Sequence, residues 1–396
     1  MIPVAEVRAL QAEWRLREEV IEKDYVLGWL LAAIAANPAL RSTWIFKGGT
    51  ALRKCYYETY RFSEDLDFTI IEGGPETPEA LVPIFGEVRS WLLDQCGLEL
   101  VIDATSFRRR TNRRGQPTTE GRVAFRGPRD PPNLPKLKID LTSDEVVVGG
   151  PVARPVSHPY SDASTPPASI RCYTIEDLLA EKLRALAERC RPRDLYDVVH
   201  IHRHPELPPA GAAVVRTSLT RKCAHVGIPV PNRASIEASP FRAEVEQEWA
   251  NMLAHQLPHL PPFAEFWAQL GEVFTWLAGP VPGIPPAPPL PRAALELNLD
   301  PSWLPPRGMT SWSGAPLELI RFAGANRLKV MVDYRADSGR HGPRLVEPYS
   351  LRRTNEGHRV LFVVNDRGVL RSYRVDRIVG ATVTDQTFVP RYRVEF

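Results

Sequence analysis

The segment GPVPGIPPAPPLPR, residues 279–292, constrains the chain more than any other feature. Each proline fixes φ and removes a backbone donor, so so dense a run enters neither a helix interior nor a central strand. It reads as a semi-rigid spacer. A chain of 396 residues also exceeds what one hydrophobic core usually organises. The expected division is a large domain over 1–278, a proline-rich linker over 279–316 and a small domain over 317–396.

The hydrophobic period changes across that linker. Before it, Val20, Ile21, Leu27, Leu30, Leu31 and Ile34 recur at three and four spacing, which predicts helix over 1–36. After it, Leu328, Val330, Val332 and Tyr334 alternate with Lys329, Met331 and Asp333, the period of a half-buried strand. VLFVV (360–364), a turn at 365–368 and the run 369–379 predict a hairpin. Charge changes too. From Leu317 onward fifteen Lys and Arg face nine Asp and Glu, a net +6 within a whole-chain +3, which leaves the first 316 residues at −3. A basic tail on a mildly acidic body suits either a polyanionic partner or a solvated basic surface.

Some classes are set aside early. The cysteines Cys55, Cys96, Cys172, Cys190 and Cys223 form no CxxC pair and no Cys/His ligand spacing. They read as reduced thiols of a cytoplasmic protein without structural zinc. The charged first twenty residues do not resemble a signal peptide. No apolar run reaches the roughly 18 residues of a membrane span.

The stretch 44–70, WIFKGGTALRKCYYETYRFSEDLDFTI, carries the chemistry. An apolar strand runs into Gly48-Gly49-Thr50, a probable helix follows, and a second strand carries Asp65 and Asp67. Residues i and i+2 of a strand share a face, so the two carboxylates sit together and repel unless a cation lies between them. Mg²⁺ is the natural one, since it takes a few carboxylate oxygens plus phosphate oxygens. Glycines after a strand let backbone N–H groups approach a phosphate, although such a turn is also common with no ligand at all. Thr50 can cap the helix or offer its hydroxyl to a phosphate. LKIDL (137–141) reads as a later strand that brings a third carboxylate, Asp140.

Farther on, RRRTNRRGQPTTEGR (108–122) reads as a loop or hairpin tip whose arginines either grip a nucleic-acid backbone or are merely exposed. Residues 142–173 read as mostly loop. Thr174 and Asp177 form a capping-box variant at the head of a helix, and Pro192 opens another. In the first of these helices Lys182 falls inside an apolar stripe with Leu178, Leu179 and Leu186, while Glu181 falls outside it. A buried ammonium needs an anion: a substrate phosphate, or a carboxylate such as Asp194 or Asp197 on the next helix.

Taken together, IEKDYVLGWLLAAI (21–34), FKGGTALRKCYYETYRFSEDLDF (46–68), KIDLT (138–142) and EDLLAEKLRALAERCRPRDLYDVV (176–199) resemble the AbiEii/AbiGii-type toxins, relatives of the MenT toxins in the nucleotidyltransferase superfamily. The resemblance implies an α+β fold with a DNA polymerase β-like nucleotidyltransferase core. It implies an enzyme that moves an NMP from an NTP to an RNA 3′ end, with tRNA as the expected acceptor. It further implies Mg²⁺ as cofactor and a cognate antitoxin as partner, in a toxin–antitoxin or phage-defence setting. By it, Lys47, Gly48, Gly49, Thr50 and Lys182 bind the nucleotide. Asp65, Asp67 and Asp140 bind metal, and Asp65, Asp67, Lys182 and Asp194 are catalytic, with Asp197 the alternative to Asp194. The tail, through MVDYR (331–335), RLVEPYSLRR (344–353) and LRSYRVDRI (370–378), resembles WYL domains. That implies an Sm-like β-barrel, with Arg344, Arg352, Arg353, Arg371, Arg374 and Arg377 as candidate phosphate contacts. Two competing readings are nucleotidylation of a protein side chain and a non-catalytic, ligand-sensing regulator.

Overall fold

The computed structural model describes the chain except for residues 58–59, 113, 205–206, 208–210, 280–286, 292–297, 304, 306–315, 337–338 and 340. Most of the proline-rich linker, and Arg113, lie outside the described residues.

In chain order come α1 (Val4–Trp14), α2 (Glu18–Ala36), β1 (Trp44–Lys47), α3 (Gly48–Ala51), β2 (Asp65–Ile70), α4 (Pro78–Cys96), β3 (Glu99–Val101), β4 (Phe107–Thr111), β5 (Pro117–Arg126), β6 (Lys136–Thr142), β7 (Val152–Pro155) and β8 (Ser169–Cys172). Then follow α5 (Ile175–Arg189), α6 (Pro192–Arg203), α7 (Gly211–Val226), α8 (Arg233–Glu237), α9 (Arg242–Gln247), α10 (Trp249–Leu253), α11 (Phe263–Ala278), α12 (Leu317–Ala325), β9 (Leu328–Arg335), β10 (His341–Arg353), β11 (Arg359–Asn365), β12 (Leu370–Arg374) and β13 (Ile378–Thr387). The content is mixed α+β. The chain forms two compact units: Met1–Arg189 with Ala213–Pro231, and Cys190–Ala212 with Asn232–Phe396.

The first unit is built on an eight-stranded mixed sheet ordered β3-β5-β6-β2-β1-β8-β7, with β4 also on β5. β2 lies between antiparallel β1 and parallel β6. Strand alternation sorts its two faces. Leu66 and Phe68 are fully buried, and Phe68 packs against Phe46 and Trp44 at ring separations of 5.2 and 5.0 Å. Phe85 of α4 closes over Trp44 and Phe107. Burial of each such ring contributes about 2–3 kcal/mol. That apolar face anchors β2 and leaves its odd-numbered residues, Asp65 and Asp67, on the other side.

In the second unit, α6 and α11 pack together, with Tyr196 stacked on Phe266 at 5.1 Å. Helix α12 is buried against β9, β10 and β13. The tail sheet is antiparallel, ordered β12-β11-β10-β9-β13. Among the described residues no pairing joins its edge strands β12 and β13, so the observed path is open.

Several local expectations change. Of the two readings for 108–122 the hairpin holds and the loop does not: β4 and β5 pair antiparallel, with Phe107 and Thr119 anchored inward. The run 369–379 is not one strand: a 3₁₀ turn at Val375–Arg377 breaks it, and β13 leaves the hairpin to pair with β9. The mostly-loop segment 142–173 contains β7 and β8. At α5 the capping box is half made. Thr174 Oγ1 accepts from the Asp177 N–H at 3.2 Å, but the Asp177 carboxylate turns away to accept from the N–H groups of Val148 and Gly149 at 2.9 and 3.1 Å. No helix among the described residues is long and apolar enough to cross a membrane.

Candidate active site

Register assembles the site. β1 against β2 puts Lys47 opposite Asp67, β2 against β6 puts Asp67 opposite Asp140 and Asp65 opposite Lys138, and β6 against β5 puts Asp140 opposite Glu120. Lys47, Asp67, Asp140 and Glu120 therefore form one row across four strands. Residues paired in register sit near 5 Å apart, close enough for their charges to act on one another.

The glycine turn borders this row. Gly48 has φ +79°, and an added Cβ would strike the Asp67 carboxylate, so only glycine serves there. A Cβ on Gly49 would meet Arg61 Nη2 at 2.7 Å. The Thr50 hydroxyl neither caps α3 nor faces outward. It donates to the Asp65 carbonyl at 2.5 Å, tying the turn to the start of β2.

Burial pushes the Asp67 carboxyl up to about 6; Asp140 and Asp65 add to the rise, and Lys47 and Lys182 oppose it. The protein thus supplies too little positive charge at Asp67. Lys182 of α5, 9% exposed, is part of the local field. Asp140 accepts from Lys138 Nζ at 2.5 Å.

Lys47 has a buried network of its own. Its ammonium bonds Glu145 and lies 3.7 Å from Glu181 Oε1. Burial works against its charge, yet Glu145, Glu181 and Asp67 together hold its pKa above the usual lysine range. Lys222 of α7 approaches Glu181 Oε2 at 3.5 Å and donates to the Val146 carbonyl at 2.9 Å. Burial would raise the Glu181 carboxyl, but Lys47, Lys222, Arg184 and Lys182 hold it at about 2. Thr69 Oγ1 donates to Glu145 at 3.1 Å and shares a 2.7 Å hydrogen bond with Tyr173. A small open cleft adjoins this network, lined by Glu145, Glu181, Lys222, Arg114, Arg184 and His225 among others.

Glu181 lies outside the buried stripe, as expected, and joins the charged network because β1 brings Lys47 to it. Sequence reasoning missed Glu145, Glu181 and Lys222. Lys222 carried the same signal as Lys182, a cation in a buried stripe with Val215, Leu219 and Cys223. Of the arginine-rich hairpin, Arg109 lies 3.5 Å from Glu76, Arg110 3.7 Å from Glu120 and Arg114 2.5 Å from Asp144. Asp194 and Asp197 are fully buried on α6, in the second unit. In the tail, Arg352, Arg353 and Arg374 pair with Glu395, Asp300 and Asp376, whereas Arg344 stands 5.4 Å over Tyr334 and 5.7 Å over Tyr373.

Among the described residues no three Asp, Glu, His or Cys side chains are gathered into a ready metal cage. The row nonetheless fits a hard divalent cation. Its carboxylates offer oxygen donors only, and burial, with Asp140 and Asp65 nearby, pushes the Asp67 carboxyl up to about 6, a rise that a bound cation would oppose. Such cations typically take one or two carboxylates and complete their shell with substrate phosphate and water.

Residues 29–272 match the family model described as nucleotidyl transferase AbiEii toxin, type IV TA system. Residues 316–383 match the WYL domain. No curated protein matches the chain. Among solved structures, the nucleotidyltransferase toxin MenT4 of Mycobacterium tuberculosis is similar at 16% identity and TM-score 0.43, over 67% of this chain and 86% of that one. The proteasome accessory factor B/C of Arthrobacter aurescens is similar at 18% identity and TM-score 0.18, over 55% of this chain and 32% of that one. With the family model spanning more than half its length, and with a WYL domain near its C-terminal end, the chain belongs to the AbiEii family of nucleotidyl transferase toxins.

Proposed function

We propose that this chain moves a nucleoside monophosphate from an NTP to an RNA 3′ hydroxyl, with tRNA as acceptor. In this reading it works in the cytoplasm, in a toxin–antitoxin or phage-defence setting, and a cognate antitoxin silences it. A polymerase β-like core and an Sm-like tail barrel belong to the same reading. One observation carries it: Asp67, in register with Asp140 and next to Asp65, has its carboxylate against the Gly48 backbone and is short of positive charge.

Asp65, Asp67 and Asp140 would hold the divalent cation, Mg²⁺ in this reading; when bound it neutralises triphosphate charge and favours ionisation of the attacking hydroxyl. The acceptor oxygen attacks the α-phosphorus, its proton passes to Asp140 or one of the pair, and the bond to the β-phosphate oxygen breaks, so that pyrophosphate leaves. Gly48 and Gly49 let the backbone approach the phosphates. Thr50 secures that turn, and Lys182 neutralises the β and γ phosphates. Lys47, committed to Glu145, orients Asp67 from the neighbouring strand. The family resemblance adds Asp194, with Asp197 as alternative, as a further catalytic aspartate; both lie buried on α6.

The test incubates the purified chain with each α-labelled NTP, Mg²⁺ and total tRNA, beside Asp65→Ala. Label in RNA with wild type alone is the expected result. Label in protein would move the reading to protein nucleotidylation. No label in either with all four NTPs would remove the transferase reading. Overexpression should arrest growth, and Asp67→Ala should relieve it. Equal toxicity of the two would favour a non-catalytic regulator.

A further inference from the structure

A second cation, Lys138, lies beside the row. Lys138 and Asp140 are two residues apart on β6 and share a face. Register sets Lys138 beside Asp65 and Asp140 beside Asp67. Lys138 Nζ lies 2.5 Å from Asp140 Oδ2, and the two side chains are 36% and 39% exposed. On the far side Glu120 is already engaged by Arg122 at 2.9 Å and Arg110 at 3.7 Å. The Lys138 ammonium bonds Asp140 and stands in the field of Asp65 and Asp67, with Glu120 near it as well. Its four-carbon stem and partial exposure leave it room to swing into solvent.

Resting on the metal-dependent transferase reading, we propose that Lys138 is an exchangeable counter-ion. It neutralises Asp140 while no nucleotide is bound, and it must leave before Asp140 can ligate a divalent cation. Cation binding is thereby linked to the arrival of a triphosphate, whose own charge repays the displaced ammonium. A structural salt bridge predicts otherwise: so exposed a pair adds little to stability, and its loss would leave metal affinity unchanged or weaker.

The experiment measures Mn²⁺ binding to the full chain by electron paramagnetic resonance of the unbound ion, with and without non-hydrolysable NTP analogues. Wild type should bind Mn²⁺ weakly alone and tightly with nucleotide. Lys138→Met should tighten nucleotide-free Mn²⁺ binding roughly fivefold or more, and so should Lys138→Gln; Lys138→Arg should behave as wild type. In an Asp140→Asn background, Lys138→Met should add nothing. Unchanged or weaker Mn²⁺ binding in Lys138→Met and Lys138→Gln would overturn the proposal and leave the transferase reading standing. Tightening that persists in the Asp140→Asn background would overturn it too, since Lys138 would then act as diffuse charge. Wild type that binds no Mn²⁺ with any nucleotide would bring down the metal reading and this inference with it.

Discussion

Two aspartates of the first unit, the buried Asp24 and the half-buried Asp67, fare oppositely. Asp24 on α2 accepts from Lys54 Nζ at 2.6 Å and Tyr160 Oη at 2.8 Å, and lies 3.5 Å from Arg53. Burial alone would raise its carboxyl, but Lys54, Arg53 and Tyr160 outweigh it and hold it below the usual range. Asp67 meets one adjacent lysine that is shared with Glu145 and Glu181, and two further carboxylates, so its carboxyl rises to about 6. The first group is a completed structural pair. The second is a charge imbalance kept in place by a β-sheet, and perturbed carboxylates of this kind cluster at functional sites as well as in structural networks.

The widest separation of the two should come from removing each carboxylate. Asp67→Asn should cost roughly a thousandfold or more in nucleotide transfer, while its melting temperature holds or rises. Asp24→Asn leaves Lys54 and Arg53 buried without their anion and should cost about 3–5 kcal/mol in denaturant titrations, with near-normal transfer per folded molecule. If Asp24→Asn spared stability, or Asp67→Asn spared activity, the distinction would collapse.

The pH dependence should differ in sign. Because the Asp67 carboxyl sits near 6 in the folded chain and near 4 unfolded, its contribution to stability falls as pH rises between those values, by about 1–3 kcal/mol. Asp24 runs the other way: its stabilisation is present above the usual carboxylate range and is lost only as pH falls through its lowered pKa. Comparing pH–stability curves of wild type and Asp67→Asn should show the wild type losing relative stability above about pH 4. Parallel curves would refute the shift.

A finer probe is Lys47→Met, which removes the cation opposing the rise. Carbon-detected titration should then place the Asp67 carboxyl above its wild-type value; a lower value would mean that Lys47 does not govern it. At the small end, Arg374→Ala in the tail breaks a surface pair with Asp376 and should change stability by less than about 0.5 kcal/mol.

Local pattern in the sequence was sufficient for the helices around residues 4–36, for β1, β2 and β6, for Asp65 and Asp67 sharing a face, and for a cation in the stripe of α5. These follow from backbone period and the cost of burying charge, which act over a few residues. Tertiary pairing decided the rest. Only the parallel register of β2 with β6 sets Asp140 opposite Asp67, and only β1 beside β2 commits Lys47 to that row. Glu145, 98 residues from its partner Lys47, was invisible for the same reason, and although Lys222 stood out as a cation in a buried stripe, its partner Val146, 76 residues away, did not. Strand register and helix docking join residues distant in the chain, and a charge acquires its meaning from the neighbours that this joining supplies.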